Sequence, residues 1–217
     1  MELSTPSPVR PGRADSGTAE RILDAALASF ASRGYEATSL DALAKGLGLR
    51  KQSILYWFSS KEELLEAVID RSASLLAEAL EAALAAAGQG WARVEAVVRS
   101  VFRVAAGRPE LLGLVREVSR LGPPAATRLI ADLEPLIVRA SEFLAAEMEA
   151  GTMRVHDPRL VLLTAYSAVI GMVTEVELLR ALGEEPTPRS LVKRRAELLN
   201  LLRSALVEDG QSSAEPR

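Results

Sequence analysis

From residue 18 to residue 207 apolar side chains recur at three- and four-residue spacing, and no run alternates polar with apolar. Residues three and four apart share one face of an α-helix, whereas a half-buried strand needs alternation. The chain therefore reads as all-α. Glycine and proline cut the pattern into about nine helices. The first is expected over 18–32 and is stopped by Gly34. The second opens at Thr38 and ends between Gly46 and Gly48. Others are expected over 50–58, 61–86, 91–106, 110–121 and 125–150, with Pro135 kinking or splitting the last of these. Asp157-Pro158 and Thr187-Pro188 each pair an N-cap with a first-turn proline, starting helices over 158–182 and 188–207.

Composition removes several classes of function. The 217 residues contain no cysteine, which excludes disulfides and thiolate chemistry and fits a cytoplasmic protein. Residues 1–17 are rich in proline, serine and glycine and read as a disordered arm, not a signal peptide; the polar tail 208–217 reads likewise. The longest apolar run lies between Arg159 and Glu175. It is shorter than the roughly 18–20 residues needed to cross a bilayer, so no membrane association is expected. There is no glycine-rich phosphate loop, no nucleophile elbow and no His–Glu metal motif, and His156 is the single histidine. No enzyme activity, cofactor or metal is expected.

The segment Thr38–Phe58 carries the chemistry. It reads as two short helices joined by a tight turn, with Leu40, Leu43, Leu47, Leu49 and Ile54 packing them together. Arg50, Lys51, Gln52 and Ser53 fill the first turn of the second helix. A helix fits the major groove, where Arg or Lys pairs with guanine acceptors and Gln with adenine. Tyr56 and Trp57 follow, suited to sugars, phosphates or a thymine methyl. Thr38, Ser39 and Lys61 sit at helix starts, where hydroxyls, an ammonium and free N–H groups suit backbone phosphates. The net charge of −3 opposes nucleic-acid binding, but residues 1–61 hold 8 Lys/Arg against 6 Asp/Glu, and the rest hold 18 against 23. The front of the chain is locally basic, and phosphate contacts depend on local clusters. A helical hairpin inside a bundle would show the same pattern, so the adaptor reading stands beside the DNA-binding one.

The run Thr38-Ser39, Leu43-Ala44, Gly48-Leu49, Ile54, Phe58, Ser60-Lys61-Glu62, Leu64-Leu65 resembles the N-terminal domain of the tetracycline-repressor (TetR) family. Arg21-Ile22-Leu23, Ala25-Ala26, Phe30 and Gly34-Tyr35 extend the likeness to about 50 residues. The resemblance implies an N-terminal three-helix DNA-binding domain (18–61) followed by a larger helical bundle for ligand binding and dimerisation (62–207). It also implies a homodimeric transcription regulator, usually a repressor, whose grip on a palindromic DNA operator is weakened by a small-molecule effector. Two positions depart from the family pattern. Leu55 stands where the family usually has a DNA-contacting Tyr, with Tyr56 one residue later. Arg50 stands where a Ser often caps the reading helix.

The same resemblance places the dimer interface on the last two helices. The segment 160–173 is apolar nearly all round and needs cover on more than one side. The candidate interface residues are Leu163, Ile170, Gly171, Leu191, Leu198 and Leu202. The effector cavity is expected among the fourth to eighth helices. Polar residues on otherwise apolar helices are the candidates: Arg99 and Arg103, then Arg116, Glu117 and Arg120, then Thr164, Tyr166, Ser167 and Thr174.

Overall fold

The computed structural model describes residues 13–207, and side chains from Gly17 onward. Among these residues there are ten α-helices and no strand. The tail expected to be disordered, 208–217, and residues 1–12 of the arm lie outside the described residues. The first helix, α1 (Arg13–Arg33), starts five residues before the expected Thr18, so residues 13–17 belong to it rather than to the arm. Nothing after Gly12 stops a helix, and an interior glycine such as Gly17 costs only about 1 kcal/mol.

Contacts group into two compact units, Met1–Val68 and Ile69–Arg217. The first holds α1, α2 (Leu40–Leu47), α3 (Lys51–Trp57) and the opening of α4 (Lys61–Ala86). Ile22, Ala26, Phe30, Leu43, Ala44, Ile54 and Leu64 are buried there. Burial of each larger side chain contributes about 1.5–3 kcal/mol, enough to hold helices of seven and eight residues that would not persist alone. Ser39, not Thr38, is the N-cap of α2: its hydroxyl accepts the Ala42 N–H at 3.1 Å. Gly48 closes α2 in the left-handed conformation at φ 69°, its N–H reaching the Lys45 carbonyl. That turn admits glycine at no steric cost.

The second unit contains the rest of α4 with α5 (Trp91–Gly107), α6 (Pro109–Leu121), α7 (Ala125–Glu149), α8 (Pro158–Thr174), α9 (Val176–Ala181) and α10 (Pro188–Leu206). Pro135 neither splits nor ends α7. Both Pro135 and Ala131, whose carbonyl loses its helical donor, are exposed, so water can satisfy that group. The expected helix over 158–182 does break, at Glu175. No glycine or proline marks the place. The buried Arg194 of α10 donates to the Met172 carbonyl, and Glu175 pairs with Arg116 at 2.9 Å. A tertiary donor thus takes a terminal carbonyl of α8 in place of the helix's own N–H. Burial lowers the Arg194 pKa.

Two expected interface residues are core instead. Leu198 is 0% exposed and Leu202 7%, because the apolar stripe of α10 packs on α5 and α8 of its own chain. Leu198→Ala is expected to cost about 2–5 kcal/mol of stability in denaturant unfolding. Unchanged stability in that variant would mean that Leu198 is not a core residue.

Candidate functional site

The start of α3 stands clear of the packed frame. Ile54 turns inward and is fully buried, so Gln52 and Tyr56, four residues apart, share the opposite side. Arg50 and Gln52 are exposed, and Tyr56 is 72% exposed. Arg50 occupies the N-cap with no side-chain cap bond; of the first-turn amides, Ser53 N–H donates to the Arg50 carbonyl at 2.9 Å. Ser53 and Trp57 are half-buried, and the Trp57 ring meets the Tyr56 ring edge-on at 5.3 Å. Lys51 is paired with Asp41 at 2.8 Å across the turn. Both partners are largely solvated, so that pair is worth about 0–1 kcal/mol, and a phosphate can displace it.

Three expected phosphate ligands are placed differently from one another. Ser39 is exposed and its hydroxyl caps α2, beside the helix's free N–H groups. Thr38 is 3% exposed; its hydroxyl donates to the Gly34 carbonyl at 2.9 Å and lies 2.9 Å from the Ser29 hydroxyl. It fixes the α1–α2 corner and is withdrawn from the surface. Lys61 rests its ammonium 4.1 Å from the centre of the Tyr35 ring and donates to the Glu36 carbonyl at 3.4 Å.

The N-terminus of α4 is already supplied with acceptors. The Ser60 hydroxyl accepts the Glu63 N–H at 3.0 Å. The Glu63 carboxylate reaches back to Ser59, hydroxyl first and then backbone N–H, and is held below the usual carboxylate range. Glu62 is lowered too, by its own backbone N–H and then by the Tyr35 hydroxyl, which donates to it at 3.0 Å. Two carboxylates leave little room for a phosphate at this helix start. The strongest anion-accepting edge of the unit is therefore the α2 and α3 starts.

Residues 22–68 match the bacterial regulatory proteins of the tetR family. The HTH-type transcriptional regulator RutR of Escherichia coli K12 is 29% identical over 162 residues, covering 68% of this chain and 69% of RutR. The negative transcriptional regulator IcaR of the Staphylococcus aureus biofilm operon icaADBC is 38% identical over 47 residues, covering 22% of this chain and 25% of IcaR. The structure of AibR, solved with isovaleryl coenzyme A and operator DNA, superposes at a TM-score of 0.69 with 19% identity, covering 84% of this chain and 96% of that one. Residues 22–68 are thus similar to the DNA-binding domain of the tetR family, and the chain is a DNA-binding transcriptional regulator.

The second unit holds a cavity of about 330 Å³, open on one side. Leu80 and Leu84 of α4, Val98 of α5, Phe143 of α7, Leu162 of α8 and Leu206 of α10 line it, together with Arg93 and Arg139. None of the nine expected ligand residues does. Arg99 pairs with Glu95 at 2.6 Å, Arg116 with Glu175, and Arg120 with the buried Glu117 at 2.8 Å. Arg103, Thr164 and Ser167 are exposed; Tyr166 bonds Ser119 at 2.9 Å, and Thr174 caps back onto the Ile170 carbonyl. Polar residues on amphipathic helices turn to water, whereas the cavity wall is made by the faces that turn inward. The sequence did hold one signal: Arg93 shares a face with Val97, one turn on, inside the apolar stripe of α5. Its Nε is buried and has no hydrogen-bond partner among the described residues, and its guanidinium lies 5.1 Å from the Phe143 ring centre. An unmatched buried donor costs about 1–3 kcal/mol.

The Tyr35 phenol is pushed up to about 12, by burial first and then by the Glu62 carboxylate it donates to. Its neutral form is favoured in the fold, so this contribution to stability is complete below the ordinary tyrosine value of 10.0 and is lost as pH rises through about 12. Phenolate absorbance is expected to show one tyrosine titrating near that value and to lose it in Tyr35→Phe. In the same variant the Glu62 carboxyl, followed by NMR, is expected to move back up; an unmoved Glu62 would mean the hydroxyl does not hold it.

Proposed function

We propose that the chain is a homodimeric repressor released from a palindromic operator by a small organic ligand. The observation that carries this reading is the outward edge Arg50–Gln52–Tyr56 on an α3 anchored by buried Ile54. Arg50 and Gln52 have the donors and acceptors that guanine and adenine edges require, and Tyr56 offers a ring and a hydroxyl. Tyr56 takes over the backbone contact that the family usually makes from the position of Leu55. The description of IcaR as a negative regulator supports repression, and AibR, solved with both an acyl-coenzyme A and operator DNA, supports a second, ligand-binding site.

The dimer forms through α8. Leu160, Leu163, Ser167 and Ile170 make one stripe at helical spacing, and Leu160 and Leu163 are 59% and 57% exposed. Gly171 adjoins that stripe with open space above its Cα. Leu201 of α10, 61% exposed, adds to the apolar cover that is missing; Leu191 is half-buried at the rim. A two-fold axis then sets two α3 helices about one DNA turn, roughly 34–36 Å, apart. Coupling runs through α4. Its residues Leu80 and Leu84 line the cavity, and Lys61 begins the same helix. A ligand that prefers one setting of α4 shifts the population away from the operator-competent spacing.

With operator fragments selected from genomic DNA, Arg50→Ala is expected to weaken binding by about 1–3 kcal/mol. If the lost contact is to a phosphate, the salt slope flattens by about one unit. Fluorescence anisotropy across a salt series reads both; an adaptor that has lost DNA binding would show neither. Leu163→Arg is expected to leave the chain folded but monomeric in sedimentation equilibrium and to abolish cooperative binding to a two-half-site operator. A dimer surviving that change would refute the α8 interface.

A further inference from the structure

We infer that the cavity's occupant is a monoanionic amphiphile: a single carboxylate held by Arg93, carrying an unsubstituted apolar tail. This rests on the cavity being the effector site. Of the sixteen lining residues fourteen are apolar, and the two others are Arg93 and Arg139. Arg139 is already balanced by Glu81 at 2.6 Å. Arg93 is not: among the described residues its side chain makes no hydrogen bond or ion pair, only the ring contact with Phe143. A guanidinium stays charged at any pH the protein meets, so the cavity carries one uncompensated positive charge. Its planar fork matches a carboxylate, two N–H groups to two oxygens. A phosphate monoester would bring close to two negative charges to one guanidinium, and a quaternary ammonium brings the wrong sign.

The rest of the wall specifies the tail. No Ser, Thr, Asn, Gln, Asp or Glu side chain lines the cavity. A sugar, nucleobase or peptide would leave its polar groups unmatched there. The volume of about 330 Å³ lies at the small end of ligand sites, with space for about ten groups of water's size. A medium-chain or branched organic acid satisfies all of these constraints.

The full-length chain is loaded with the neutral fluorophore N-phenyl-1-naphthylamine and titrated with decanoate, decanol and decyltrimethylammonium. Decanoate is expected to displace the dye at a concentration about tenfold or more below decanol, with the ammonium weakest. Arg93→Met keeps the apolar stem and is expected to erase the advantage of the acid while leaving decanol within about twofold. That unchanged alcohol affinity also shows that the variant is folded. An acid no better than the alcohol in the native chain, or an advantage that persists in Arg93→Met, overturns the assignment while leaving the cavity an apolar effector site. Failure of every compound and of the dye to bind would remove the cavity as an effector site, and this inference with it.

Discussion

Burial of Ile54, where α3 packs on α1 and α2, is the constraint on which the reading edge depends. A seven-residue helix has almost no stability of its own, so α3 exists because one apolar side chain anchors it. Fixing Ile54 fixes the rotation of the whole helix: at 100° per residue, Gln52 and Tyr56 are carried to the far side. The hidden hydroxyl pair Ser29–Thr38 and the left-handed Gly48 serve the same end, one at each end of α2. Polar groups at these corners set the angle between helices, and apolar burial supplies the free energy that holds it.

Charge is distributed to match. The chain is net negative, yet within the first unit the exposed starts of α2 and α3 accept anions, while the start of α4 supplies its own carboxylates. On the proposed reading this edge meets the polyanion, and the geometry narrows it. Thr38 is structural, Lys61 is committed to Tyr35 and Glu36, and Lys51 is reached only by displacing Asp41.

Much of this was legible in the sequence, and the reasons for the rest are physical. Helix ends with local causes were readable: Thr187 and Asp157 cap their helices from residues alone, and Gly48 had to be a turn. Ends with tertiary causes were not. The break at Glu175 comes from Arg194, nineteen residues on, and Pro135 is harmless because it and Ala131 face outward. Leu198 and Leu202 illustrate a deeper ambiguity: an apolar stripe states that a face is covered, never whether its own chain or a twin covers it. The cavity itself was missed because it was sought in polar side chains. A cavity in a helical bundle is built from the inward faces, and the one residue that betrayed it, Arg93, is a charge standing inside an apolar stripe.

Amide hydrogen–deuterium exchange of the full chain with and without an operator fragment tests the central claim most directly. The account predicts slowed exchange concentrated at residues 39–42 and 50–57, with the start of α4 little changed. Operator-bound protein whose exchange at 50–57 equals that of the free protein would contradict it, because α3 would then not be the element that enters the groove.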